Sequence, residues 1–148
     1  MPALIRTGLT IVLCGGLLLA CRRPAPSVES RDPRTPLPLG PEAQDAVLTE
    51  MRTMLGSLNG VLTALAQADP EAMRRAAAAS GLATAADPAL EKVLPQEFLR
   101  MGTATHRQFD SLALVIGAGA PGDTVIARLG RLTGACVACH ATYRLSRQ

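Results

Sequence analysis

The sequence predicts an all-α protein, an antiparallel up-down-up-down four-helix bundle, and three observations lead there. Helix-start signals recur at Pro41-Glu42, Asp69-Pro70-Glu71, Pro95-Gln96-Glu97 and Asp123, separated by glycine-containing breaks. Between them apolar residues return every three or four positions, with little strand signal. Hydrophobic residues make up 48% of the 148-residue chain and aromatic residues only 2%. That suits one compact domain with an aliphatic core.

The first helix opens at Pro41 and Glu42, and Leu48, Met51, Leu55, Leu58, Leu62 and Leu65 form a continuous apolar seam along it. Met54 shares the flank of Val47 and Val61 and points less directly inward. The second, Ala-rich helix starts with Asp69 as N-cap and Pro70 in its first turn, and ends at Gly81. Asp87-Pro88 starts a short turn. The third runs from Pro95 with Phe98, Gly102, Thr105, Phe109, Leu112 and Ile116 on one stripe. Gly102 and Thr105 leave the middle of that stripe short of volume, at a cost of about 1 kcal/mol per missing methyl. Close helix packing fills such a gap, and so does a flat ligand. After the break from Gly117 to Gly122, Asp123 caps a fourth helix reaching about Leu145. It carries Ile126, Leu129, Thr133, Cys136, His140 and Tyr143 on or near one face. Short connections make neighbouring helices antiparallel. The folded domain is expected over 42–148.

Residues 1–20 read as an export signal, with Arg6 ahead of an apolar run, Leu9 to Ala20, too short to remain as a bilayer span. The run ends in Leu18-Leu19-Ala20-Cys21, which resembles the bacterial lipobox and makes Cys21 the lipidation site; an ordinary signal peptide with a chance cysteine is the plainer reading. Arg22 after the cysteine favours the outer membrane on the periplasmic side. Residues 21–41 then form a tether whose prolines, from Pro24 to Pro41, oppose regular helix and strand pairing.

The formal charge of +3 is concentrated ahead of the domain: from Glu42 onward ten basic residues balance ten acidic ones. A neutral domain with few aromatic rings offers neither a phosphate-binding face nor a stacking platform, so nucleic acid is not an expected partner. No nucleophile-base pair, phosphate loop or carboxylate cluster appears, so no enzyme is expected.

Of four cysteines, Cys14 leaves with the leader and Cys21 takes lipid, which leaves Cys136 and Cys139. Cys136-Val137-Ala138-Cys139-His140 is the c-type haem attachment sequence. On a helix, positions i, i+3 and i+4 share a face, so both thiols and the imidazole address one flat ligand. The thiols form thioethers with the haem vinyl groups and His140 coordinates iron. A thioredoxin-like pair wants a strand-helix setting, and a zinc site wants a fourth ligand, for which His106 is the one obvious candidate. His106, with Asp110 four residues on, reads as half of a surface pair, a haem propionate contact or an iron ligand.

Gly134 to Arg144 resembles the terminal helix of the cytochrome c prime family, in which the haem motif lies near the end of a four-helix bundle and a Tyr-Arg pair follows it, here Tyr143-Arg144. The resemblance implies one covalent haem c between the helices, His140 as proximal ligand and Arg144 close to the proximal haem face, although a solvated Arg favourable to the helix dipole explains that position equally. Outside the haem helix the likeness is mainly one of spacing, and the tether departs from it. Met51 approximately matches the family position that faces iron from the first helix, with Met54, Met101 and His106 as fallbacks, or no sixth ligand at all. The function expected is one-electron transfer with periplasmic or membrane redox proteins. The alternative is a five-coordinate haem that binds nitric oxide or carbon monoxide. Gly56 and Gly60 leave a homodimer open.

Overall fold

In a computed structural model that describes residues 32–85 and 89–147, the chain is mostly helical, with four helices whose packing is compatible with a helical bundle. The export signal, Cys21, most of the tether and the Asp87-Pro88 turn lie outside the described residues. The helices are α1 (Pro41–Ala66), α2 (Pro70–Ala78), α3 (Gln96–Gly117) and α4 (Gly122–Thr142), with short 3-10 turns at Leu82–Thr84 and Leu90–Lys92. Among the described residues no helix is long and apolar enough to cross a membrane.

Helix boundaries follow local chemistry. Pro41 occupies the first turn of α1, and the Asp69 carboxylate accepts the Ala72 N–H at 2.8 Å to cap α2. Between them the chain makes a Schellman turn: Asp69 N–H reaches the Ala64 carbonyl, Ala68 N–H reaches Leu65, and Ala68 sits at φ 54°. The end of α3 uses the same hydrogen bonds from Ala120 and Gly119, with glycine at the left-handed position, φ 80°. Asp123 does not cap α4 as expected; the cap position is Pro121, two residues earlier, and Asp123 accepts the N–H of Thr124 within the first turn.

Two further expectations are corrected. The tether was expected to stay unpaired up to Pro41, yet Thr35–Leu39 is a strand, β1, pairing in parallel with β2, Tyr143–Arg147, Thr35 opposite Tyr143 and Leu39 opposite Arg147. The compact unit accordingly begins at Arg34 rather than Glu42. Prolines are tolerated because Pro36 and Pro38 alternate with Leu37 and Leu39, so the N–H groups they lack fall on one edge of the strand and both leucines bury on one face. The fourth helix, expected to reach Leu145, stops at Thr142, since the backbone beyond it finds partners on β1 and Tyr143 turns edge-on to Phe98, ring centroids 5.4 Å apart.

The core is in two parts. Leu58, Val61 and Ala64 of α1 pack with Met73 and Ala77 of α2, Phe109, Leu112 and Ile116 of α3, and Val125, Leu129 and Leu132 of α4. A second cluster joins Leu37 and Leu39 of β1 to Val47, Leu90 and Leu94, with Met51, Phe98 and Tyr143 against it. The expected α1 seam is therefore displaced: Val47 and Val61, on its flank, are buried, whereas Leu55 and Leu62 are 67% and 53% exposed. Contact with α2 causes this rotation. A Cβ on Gly60 would lie 2.9 Å from the Ala76 Cβ, so the glycine lets α1 and α2 approach closely. Gly60 thus serves packing within the chain. The α3 stripe is as expected from Thr105 to Ile116.

Candidate haem-binding site

At the level where the two core clusters part, a cavity of about 490 Å³ opens between the first half of α1, the first half of α3 and the end of α4. Its walls are largely apolar. Leu48, Met51, Met54, Leu55 and Leu58 come from α1, and Phe98, Met101, Gly102 and Thr105 from α3. Cys136, Val137, Cys139 and His140 come from α4. Leu55, one of the leucines that left the core seam, is thus turned toward this space, whereas Leu62 is not. Volumes of this order, lined by apolar groups with a few polar ones, are typical of cofactor sites.

Helical periodicity brings the motif together. Cys136 and Cys139 are half-buried and unpaired with each other, and His140, more exposed, stands one turn beyond Cys136 on the same wall. Burial pushes both thiols above their ordinary pKa, and for Cys139 the neighbouring Cys136 adds to it. Reactive redox thiols need the opposite shift, so a thioredoxin-like pair finds no electrostatic support. Among the described residues no three His, Cys, Asp or Glu side chains converge as a zinc site requires. Arg34, just ahead of β1, donates from Nη1 to the His140 carbonyl at 3.2 Å. That carbonyl belongs to the last turn of α4, where a cation satisfies an acceptor the helix leaves over.

Residues expected at the site separate into two groups. Cys136, Cys139, His140 and Met51 line one cavity, together with Met54 and Met101. Arg144 does not. It lies half-buried on β2 and outside the cavity lining, because the helix that would have carried it has already ended.

His106 is also placed differently from every reading the sequence suggested. It is 3% exposed, with Nδ1 2.8 Å from the Ser80 carbonyl and Nε2 2.7 Å from Glu50 Oε1. A carbonyl only accepts, so Nδ1 carries a proton, and a carboxylate at Nε2 then favours the doubly protonated ring. Burial draws the His106 pKa down. The hydrogen bonds to Glu50 and Ser80, with the negative charges of Glu50 and Asp110, outweigh it and hold the pKa above its ordinary value. With both nitrogens engaged, His106 is a tie between α1 and α3 and supplies no ligand. Asp110 accepts the Leu82 N–H instead of pairing with it.

Glu50 and Ser80 were missed by sequence reasoning, as was Ser57, whose hydroxyl meets that of Ser80 at 2.8 Å in the interior. A lone acid between Val47 and Met51 on an apolar flank was the available signal for Glu50. Glu50 also lines the cavity, so the tie braces the α1 wall.

The residues present fit a haem. A Cβ on Gly102 would meet nothing within 4 Å, so the small residue leaves room that neighbouring helices do not take up. Val137 is 68% exposed beside it, and Leu55 faces the same opening. Apolar walls, two thiols at helical spacing, an imidazole and three thioethers suit a flat, iron-bearing macrocycle better than any small polar ligand. No family description, curated protein or solved structure matches the chain.

Proposed function

We propose that this protein is a c-type cytochrome of the cytochrome c prime kind, a one-electron carrier whose single haem is enclosed by an antiparallel four-helix bundle. The observation that carries this reading is the convergence of Cys136, Cys139, His140 and Met51 on one apolar cavity. Bound there, haem supplies an iron that cycles between ferric and ferrous states at a potential set by axial ligands and burial.

The chain's own residues have distinct tasks in that reading. Cys136 and Cys139 would hold the macrocycle through thioethers from one helix face. His140 offers its imidazole from a backbone position held by Arg34. Met51 would offer a thioether from the facing wall of α1, while Leu48, Leu55 and Phe98 would cover the bound group with apolar surface. An antiparallel arrangement of α1 and α4 is supported by two observations at different levels. The Leu65 side chain lies 3.3 Å from where a Gly122 Cβ would be, and Leu48 and Met51 share the cavity with Cys136 and His140. Export and acylation of Cys21 would keep the domain on the periplasmic side of the outer membrane, near its redox partners.

Intact-mass and absorption measurements on protein from cells competent in c-type maturation test this. The expected mass is that of the polypeptide plus one haem, lost when Cys136 and Cys139 are both changed to Ala. A bare polypeptide mass from the unaltered protein overturns the reading. Met51→Leu is expected to convert a low-spin haem to a high-spin one that binds carbon monoxide faster. A high-spin haem in the unaltered protein would instead assign gas binding through an open iron site.

A further inference from the structure

Sulfur is concentrated in the cavity. Among the described residues, both cysteines and three of the four methionines line it: Cys136 and Cys139 on α4, Met51 and Met54 on α1, and Met101 on α3, each half-buried. Met73, the fourth methionine, is packed in the α2-facing core instead. A haem held as proposed above uses two thiols and one thioether, which leaves two thioethers without a task.

Oxygen donors on the same walls are committed elsewhere. Glu50, the one carboxylate in the lining, is held by His106. The hydroxyls of Thr105 and Thr133 donate to carbonyls of their own helices, those of Met101 and Gly130. The Cys136 thiol donates to the Leu132 carbonyl at 3.7 Å, a weak bond given up at little cost. Soft sulfur in an apolar cavity selects a soft ion. A low coordination number is needed as well, because no three His, Cys, Asp or Glu side chains converge among the described residues. Monovalent copper meets both conditions, since two or three sulfurs complete its shell.

Position along the helices narrows the third ligand. Arg128 donates to Ser111 at 2.9 Å and ties α4 to α3. In the antiparallel arrangement proposed above, ten positions toward the cavity on each helix bring Met101 opposite Ala138, between the two cysteines. The same count from Leu65 and Gly122 sets Met51 opposite Cys136. Of these two helices, α3 is the one α4 packs against more closely, so Met101 comes from the adjoining wall.

We propose that the haem-free chain binds one Cu(I) through the Sγ atoms of Cys136 and Cys139 and the thioether of Met101. Two S–Cu bonds form as the two thiols release their protons to solvent, and Met101 adds a neutral third. Copper stays monovalent, so no oxidant or reductant is consumed. Copper and haem exclude each other, because both need the same two thiols. The copper site itself does not rest on the function proposed above.

The test uses the haem-free full chain from cells without c-type maturation, carrying Cys14→Ser and Cys21→Ser so that only the cavity thiols remain. Titrated with Cu(I) without oxygen, it should withdraw one equivalent from bathocuproine disulfonate, and absorption at the copper edge should show an all-sulfur shell. Cys136→Ser combined with Cys139→Ser should abolish uptake, Met101→Leu should weaken it about tenfold, and Met73→Leu in the core should leave it unchanged. Circular dichroism of each variant separates loss of the site from loss of the fold. No copper withdrawn, Zn(II) held as tightly as Cu(I), or equal uptake by the double serine variant overturns the proposal. A nitrogen ligand at copper, or full affinity in Met101→Leu, overturns the assignment of the third sulfur. Haem content of matured protein is read separately. Cu(I) binding by a chain that never acquires haem overturns the function and keeps this site, and haem attachment without Cu(I) binding does the reverse.

Discussion

Glu50 and His106 form the clearest pairing that sequence periodicity does not expose, since fifty-six positions separate them. Because the folded His106 pKa is raised above the unfolded value near 6.5, its contribution is fully present below that value and is lost as pH rises through the folded pKa. Urea unfolding of the unaltered chain should therefore show a midpoint that declines as pH rises above the unfolded value, and Glu50→Gln should flatten the decline. An unchanged pH profile in that variant would mean the pair carries no charge. Ser57→Ala tests the neighbouring contact; stranding the Ser80 hydroxyl in the interior should cost roughly 1–2 kcal/mol in the same assay. By contrast, the placement of Cys136, Cys139 and His140 on one wall was legible, because it is local: three residues within five positions need only a helix to share a face. Arg144 shows the limit of that locality. Its place depended on where α4 ends, and a strand more than a hundred positions away decides that.

Element boundaries were read from proline, aspartate and glycine, and they hold wherever the cause is adjacent in sequence, as at Asp69 and Pro41. Faces were harder. The heptad seam of α1 was identified by spacing alone, and spacing cannot say which of two adjacent stripes meets α2. Gly60 was the clue, and its role can be separated from that of Gly56, where an added Cβ meets nothing. Gly56→Ala should raise stability by about 0.5–1 kcal/mol through helix propensity, while Gly60→Ala should lower it as the Ala76 contact tightens. Equal effects in thermal melts would remove the packing argument. The two Schellman turns make a second pair. Ala68→Gly should stabilise by about 1 kcal/mol, bringing the end of α1 into line with the end of α3, where Gly119 already occupies the left-handed position. For β1, the alternation Pro36-Leu37-Pro38-Leu39 carried a strand's period of two, hidden by the expectation that proline prevents pairing. Leu37→Ala should cost about 2–4 kcal/mol, a loss that no solvated tether residue would produce.

At the scale of the molecule, the division of the core into two clusters implies unequal dependence on a filled cavity. The α2-facing cluster borders the cavity through Leu58 alone among its buried members and keeps Phe109, Leu112 and Leu132 away from it, whereas the smaller cluster held by β1 meets it through Val47, Met51 and Phe98. Hydrogen exchange on the chain with both motif cysteines changed to Ala should leave amides around Phe109 and Leu132 the slowest, and speed those around Val47 and Tyr143. Uniform protection would indicate one indivisible core. The strand pair has a consequence in time as well. Arg34 and His140 are 106 positions apart, and β2 follows all four helices, so β1 must wait for them before it has its strand to pair with. Contacts this distant close slowly. If the chain carries haem as proposed above, that interval would leave Cys136 and Cys139 accessible for its attachment before the strand pair closes.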